Sequence, residues 1–422
     1  MLELYRNMYF CSLSLHFCNN STIILSMKIN KYFFIFILLF LIVTVFNILL
    51  SSSLLQGGDY NPPIPQIVTI GTSMFGWCDY LNLGNNCVAI NLHALPMWNI
   101  MAFTSTFFFF SPVILERLFW WFPFIVLAYF SSAYLFIKIF PNNQYYVLSS
   151  VLYTVNTYIL MVIGGGQIAG IGLAYALLPL LLVSVLQAFE KRTILSSLNV
   201  GILFSICVLL DLRIAYISAV VCFCLFLWKC LFIKQKMQIL KHGIVLCITI
   251  FTVVFLMHAY WILPALLLHK DPITQLGAAY SSTNAVSYYS FATFENTISL
   301  LHPNWPENIF GKTYFMKPEF LLLPFFAFLS LIFANKSQSE NNNRKSTMYI
   351  LFFALLALLG AFLSKGTNEP FGQIYSWMFS HFPGFNAFRD STKWYVLISL
   401  SYAMLIPYTI SQLCEKIMGK LK

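Results

Sequence analysis

The sequence predicts an all-α integral membrane protein with about ten transmembrane helices and long extracytoplasmic loops. Three observations carry that prediction. Hydrophobic residues make up 59% of the 422 and charged residues only 9%, whereas a soluble domain carries about a quarter charged. Apolar stretches of about 20 residues, enough to span a bilayer, recur along the chain. Lys and Arg gather in some of the intervening links and thin out in others, as the positive-inside rule requires. The net charge of +10 therefore belongs to cytoplasmic loops and does not suggest nucleic acid.

Residues 1–26 are neither a clean signal peptide nor a span. Met27, followed by Lys28, Lys31 and a long apolar run, is a natural start of translation; the alternative for 1–26 is a short disordered cytoplasmic tail. The rest, 27–422, is one polytopic membrane domain. The predicted spans are 32–50, 118–139, 145–163, 169–188, 194–210, 216–233, 243–264, 320–335, 347–363 and 394–411. The stretch 97–113, "MWNIMAFTSTFFFFSPV", is aromatic, contains Thr and Ser and ends near Pro112, so it spans, lies in the interface, or dips in and returns.

Charge arbitrates. If 97–113 does not cross and the amino terminus is cytoplasmic, 16 of the 24 Lys and Arg lie inside. If it crosses, only 11 do. The first arrangement has ten spans, both termini in the cytoplasm and a multi-pass place in the cell membrane. Of the acids, only Glu3, Glu190, Glu340 and Glu415 are then inside. The long loops, about 51–117, 265–319 and 364–393, are outside, and chemistry is expected there.

Several motifs on that side carry chemically useful groups. In "SSSLLQGGDYNPPIPQIV", Gly57 and Gly58 permit an unusual backbone, and Pro62, Pro63 and Pro65 stiffen the extended segment after them. Asp59 is thus held just above the membrane, as a general base toward a hydroxyl or as a turn residue bonding its own backbone. In "GGGQIAGIG", Gln167 offers a donor and an acceptor at a tight turn; a plain helical hairpin is the alternative. In "VLLDLRIAYIS", Asp211 and Arg213 stand where one span ends and the next begins. Arg213 suits a phosphate, and an internal Asp–Arg pair suits the site equally.

"ENTISLLHPNWPENIFG" carries His302, Trp305 and Glu307, either a sugar-contacting surface or an interfacial Trp. "HFPGFNAFRDSTKWYVL" concentrates Arg389, Asp390 and Lys393 at the mouth of the last span. They read as phosphate-binding cations with an acidic partner, or as an anchor in which Lys393, Trp394 and Tyr395 sit at the interface. Cys78 and Cys87 share the first outer loop and could form a disulfide there. No HExxH, CxxC pair or Walker motif occurs, so zinc chemistry and ATP hydrolysis have no support.

The order of "ERLFWWFPFIVLAYFSSAYLFIKIF", "VLYTVNTYILMVIGGGQIAGIGLAYALLPLLL" and "FNAFRDSTKWYVL" resembles polytopic GT-C-type glycosyltransferases, in particular the membrane domain of the alpha-(1→3)-arabinofuranosyltransferase family. The resemblance covers most of residues 27–411. It implies a GT-C-like fold, a polyprenyl-phosphate sugar donor and an acceptor that is an envelope glycan, lipid or protein. It makes Asp59 the base and Arg213, Arg389 and Lys393 the donor-phosphate ligands. Asp211, Gln167 and Asp390 support them, and His302, Trp305 and Glu307 meet acceptor or sugar. Where many relatives have an acidic residue at the turn between the third and fourth spans, this chain has Gly165 and Gln167. The large extra domains of those relatives are also not found in these 422 residues, and the sugar stays open.

The chemistry suits those residue types. A lipid-phosphate donor needs an apolar slot for its tail and cations for its head; the acceptor hydroxyl needs one placed carboxylate. A divalent metal could bridge Asp59 and the phosphate, although no ligand spacing supports one. Two other classes fit the same composition: a lipid or glycan transporter, which would need charges deep in the spans, and a noncatalytic scaffold of the envelope, in which Asp59 would be replaceable.

Overall fold

The computed structural model describes residues 32–47, 51–55, 94–141, 143–232, 236–267, 282–301, 318–334 and 340–420. Among these residues every regular element is a helix. Seven helices are long and apolar enough to cross a membrane: Pro112–Ile139 (α3), Tyr146–Gly164 (α4), Ile168–Lys191 (α5), Leu212–Phe232 (α7), Met237–Leu263 within Lys236–Leu267 (α8), Ser346–Ser364 within Glu340–Ser364 (α12), and Ser391–Ile417, which runs into Tyr395–Lys420 (α14). Three shorter apolar helices, Tyr32–Val45 (α1), Ile194–Leu210 (α6) and Pro318–Phe333 (α11), coincide with the other predicted spans. The chain is thus a multi-pass membrane protein.

The chain divides into two units, Met1–Leu50 and Ser51–Lys422. In the first, α1 ends in a π-turn over Leu41–Val45. In the second, α5 and α14 are the most buried spans and α8 the least. Helix α14 packs on α4, α11 and α12; α3 packs on α4 and α5; α6 packs on α5 and α8.

The predicted third span is broken in the middle. Asn156 leaves the helical region (φ −140°, ψ 166°) and its side chain accepts from the Ile159 amide, capping the second half. Asn is a favoured cap because its short carbonyl reaches the orphan amides of a helix start. Its Nδ2 donates to the carbonyls of Leu152 and Tyr153, 3.1 Å each, and to the Tyr175 hydroxyl at 3.0 Å. Tyr153 and Tyr175 stack 4.1 Å apart, and each hydroxyl donates to the other's carbonyl at 2.7 Å. The Asn156 side chain at the break is therefore satisfied inside the bundle, as an apolar surrounding demands.

Residues 97–113 form the helix Leu95–Phe108 (α2), then a left-handed Phe109 (φ 54°), before Ser111 caps α3. At 14 residues α2 is about 21 Å long, against a hydrocarbon core of about 30 Å. Two short helices, Thr283–Tyr288 (α9) and Phe294–Ile298 (α10), and the helix Gly372–His381 (α13) lie between spans. Gly366 (φ +61°) lets the turn after α12 close: a Cβ there would lie 2.2 Å from Ser290 Oγ and 2.9 Å from Ser391 Oγ. Thr367 and Asn368 complete the junction by donating to Ser290 Oγ (3.0 Å from the Thr367 amide) and to the carbonyls of Ser290 (2.7 Å) and Ala292 (2.8 Å).

At the opposite end of the spans, Lys138 pairs with Glu190 at 2.5 Å and Arg192 donates to Gln238 at 2.8 Å. The cysteines among the described residues, including Cys207, Cys222 and Cys414, are free thiols. Cys78 and Cys87 lie outside the described residues.

Candidate functional site

Two of the predicted charge clusters come together. Asp211 caps α7 through its Oδ1, which accepts from the amides of Arg213 (2.8 Å) and Ile214 (3.0 Å). The Arg213 guanidinium turns back on it, with Nη2 2.7 Å from Oδ2 and Nε 3.2 Å from Oδ1, which leaves Nη1 outside the pair. Asp390 caps the 3-10 turn Ser391–Trp394, accepting from the Thr392 amide (3.0 Å) and hydroxyl (2.6 Å). Its other oxygen takes Lys393 Nζ at 2.6 Å.

The pairs are within electrostatic reach of each other, Lys393 acting on Asp211 and Asp390 on Arg213. Burial raises the Asp211 carboxyl, but the Arg213 guanidinium, the hydrogen bonds it receives and Lys393 together hold it below its ordinary range. Each pair keeps one half-open member: Arg213 (35% exposed) and Asp390 (32%) are wetter than Asp211 (8%) and Lys393 (12%).

The close approach of the glycine-rich turn explains part of the burial. A Cβ on Gly170 would sit 3.2 Å from the Leu210 carbonyl and 3.6 Å from Asp211 Oδ2. Gln167 stands at the head of that turn, its amide bonded to the Val162 carbonyl at 3.0 Å. The cluster rests on aromatics. Tyr158 is fully buried, feels Asp390, Asp211 and Arg213, and stacks on Tyr395 with centroids 5.7 Å apart. Trp394 packs on Phe388 (4.7 Å) and Phe385 (5.6 Å), and Tyr216 lies against Phe388 (5.2 Å).

That packing corrects the anchor expected at the last span. Trp394 and Tyr395 are almost completely buried, and Tyr395 donates its hydroxyl to the Leu301 carbonyl at 2.7 Å. They are core side chains because Phe385, Phe388 and Tyr216 cover the indole. Arg389 faces a different neighbour; its guanidinium lies over the Tyr289 ring.

Sequence reasoning did not single out Glu116 and Arg117. Glu116 is completely buried, accepts from the Leu55 amide (3.0 Å) and the Trp121 indole (3.1 Å), and pairs with Arg117. Arg117 Nη2 donates to the carbonyls of Ser53 (2.7 Å) and Ser51 (3.3 Å). These two residues open a π-turn, Arg117–Trp121, that packs beside the π-turn Ile168–Gly172. A charged pair at the mouth of a span, beside two tryptophans, was the available signal. Lys365 was also unread: it is buried, donates to the Asn368 carbonyl and lies 4.7 Å over Phe362. Burial pushes its ammonium below the usual range, with Glu369 opposing.

Asp59, His302, Trp305 and Glu307 lie outside the described residues. The chain leading to Asp59 is held at 51–55 by Glu116 and Arg117. The chain leading to His302 is held at Leu300 and Leu301 by Thr157 and Tyr395. Among the described residues no three His, Cys, Asp or Glu side chains converge as a metal site. Comparison with protein families, curated proteins and solved structures finds no match for this chain.

Proposed function

We propose that this protein is a GT-C-like membrane glycosyltransferase with ten spans and both termini in the cytoplasm. It moves a sugar from a polyprenyl-phosphate donor to a glycan, lipid or protein acceptor of the envelope, on the outer face of the cell membrane. The observation that supports this reading most is that the Asp211–Arg213 and Asp390–Lys393 pairs, each a cation steadied by its own aspartate where spans begin and end, lie within electrostatic reach of each other. A donor phosphate must sit at that depth if its tail is in the bilayer, and Arg213 keeps one guanidinium nitrogen outside its pair.

In this reading Arg213, Arg389 and Lys393 receive the phosphate, Asp211 and Asp390 orient the cations, and Gln167 supports them. Asp59 takes the acceptor proton, and His302, Trp305 and Glu307 meet sugar or acceptor. The test is transfer by the purified protein, in lipid, from a panel of polyprenyl-phosphate sugars. Turnover with at least one donor is expected, and Asp59→Asn should lower it about 10²–10⁴-fold, the usual loss of a general base. No transfer from any donor, or full activity of Asp59→Asn, would sink the assignment. The mutual neutralisation of the two ion pairs favours a second reading, a noncatalytic envelope scaffold; Arg213 substitutions would then alter stability and leave donor binding undetectable.

A further inference from the structure

Between Glu369 and Arg389 the chain carries no Lys, Arg, Asp or Glu, yet it is dense in aromatics. Its helix α13 has 10 residues, about 15 Å of length, so it covers only half of a bilayer core. Both of its tethers are short and lead to spans, back to Ser364 and on to Ser391. It therefore lies at the level where the spans emerge.

Around this helix run three stripes, each with the i, i+3, i+7 spacing of one helical face. Gly372, Tyr375 and Phe379 are buried against the protein. Gln373, Ser376 and Ser380 form a polar stripe. Ile374, Trp377 and His381 form the third, where Ile374 is 46% and Trp377 54% exposed. Phe371 and Phe382 flank the helix, 68% and 47% exposed, and the Phe382 ring meets Trp377 with centroids 6.0 Å apart. His381 stacks on Trp377, centroids 5.3 Å apart, and its Nδ1 donates to the Trp377 carbonyl at 2.9 Å.

An isolated exposed apolar side chain means little. A stripe in which exposed Ile374 and Trp377 are followed by His381, between a polar stripe and a protein-facing one, has a specific environment, the lipid–water boundary, where Trp is enriched. We propose that α13 is an interfacial helix. It lies in the membrane plane with Phe371, Ile374, Trp377 and Phe382 in the headgroup–acyl boundary and Gln373, Ser376 and Ser380 toward water. The occupant of the exposed face is lipid because the short tethers to Ser364 and Ser391 keep the helix at the level where those two spans emerge, and its exposed side chains Ile374 and Trp377 are apolar.

The helix also contacts the turn before the charge cluster. Tyr375, on the inner stripe, donates its hydroxyl to the Phe388 carbonyl at 2.6 Å, and its ring meets Phe385 5.1 Å away. Phe388 is the residue before Arg389. Helix α13 is thus tied directly to the turn that carries Arg389, whatever ligand the charges there serve.

The test uses the full chain in nanodiscs of phosphatidylcholine and phosphatidylglycerol. Photoreactive p-benzoylphenylalanine replaces Trp377, Ile374, Gln373 or Ser380, one at a time, and adducts are identified by mass spectrometry. Positions 377 and 374 should yield severalfold more acyl-chain adduct than 373 and 380. Equal yields at all four positions would overturn the proposal, as would adducts to a second copy of the chain or to an added soluble oligosaccharide. The chain without the photoreactive residue supplies a second readout. Lipids brominated near the headgroup quench tryptophan emission, and Trp377→Phe should remove part of the quenchable fraction. An unchanged quenchable fraction would count against an interfacial α13.

Discussion

The Arg389 guanidinium lies over the ring of Tyr289, 4.7 Å from its centroid. The two residues come from different segments between spans, and Tyr289 in turn meets Tyr288 and Phe291 edge-on. A cation over an aromatic face is held by about 0.5–2 kcal/mol, so the ring contributes to the orientation of Arg389. Arg389→Lys keeps the charge and loses the planar stack and, under the proposed function, the two-pronged grip on a donor phosphate. The expected result is about tenfold weaker donor use, the equivalent of about 1.4 kcal/mol, with normal membrane insertion. Lys393→Arg should be milder. Unchanged donor affinity in both Arg389→Lys and Arg389→Gln would leave Arg389 only a stacking role.

The spans were legible because hydropathy over about 20 residues depends on the bilayer and not on neighbours. Clustering of Asp211 with Arg213 and of Asp390 with Lys393 was legible too, since the members of each pair lie within a few residues of one another. The electrostatic approach of the two pairs was not, because it joins positions far apart in sequence that only the packing of the helices brings near. The helix break at Asn156 was not read: its side chain caps Ile159 and also donates to Tyr175 of the next span, a partner that only the packing supplies. Trp394 and Tyr395 have the composition of an interfacial belt; only the fold brings Phe385 and Tyr216 over the indole.

Asp211→Asn should destabilise the protein, because it leaves Arg213 partly buried without its counter-charge. With Arg213 half-open to solvent, the cost is about 1–3 kcal/mol. The pH dependence has a definite sign. The folded Asp211 pKa lies below its ordinary value, so its contribution is complete above about pH 3.9 and is lost as pH falls through the lower, folded value. The gap in thermal midpoint between parent and variant should be constant near neutrality and should close in strong acid. A gap that widens on acidification would contradict the assigned direction.

The proposed orientation places the Lys138–Glu190 end in the cytoplasm and the Gln167 turn outside. A reporter fused after Lys138 should read as cytoplasmic and one after Gln167 as external. The opposite pair of results would mean that α2 crosses the membrane, and Asp59 would then lie on the other side from Arg389.

Glu116 reaches back along the chain to hold the Leu55 amide, 61 residues away. A buried carboxylate with an amide, an indole and a guanidinium as partners is well satisfied, and losing it strands all three donors. Glu116→Gln keeps the shape and one acceptor oxygen but removes the charge that Arg117 answers. Arg117 then has less reason to stay beside the carbonyls of Ser51 and Ser53. The expected cost of Glu116→Gln is about 1–3 kcal/mol, and Glu116→Ala should cost more. The sharper readout is local: hydrogen exchange at the Leu55 amide should accelerate in Glu116→Gln while amides in the middle of α5 keep their protection. If Leu55 exchanges at the parent rate, the segment 51–55 is held by something other than Glu116. Its entry into the loop that carries Asp59 would then have to be explained from Arg117 alone.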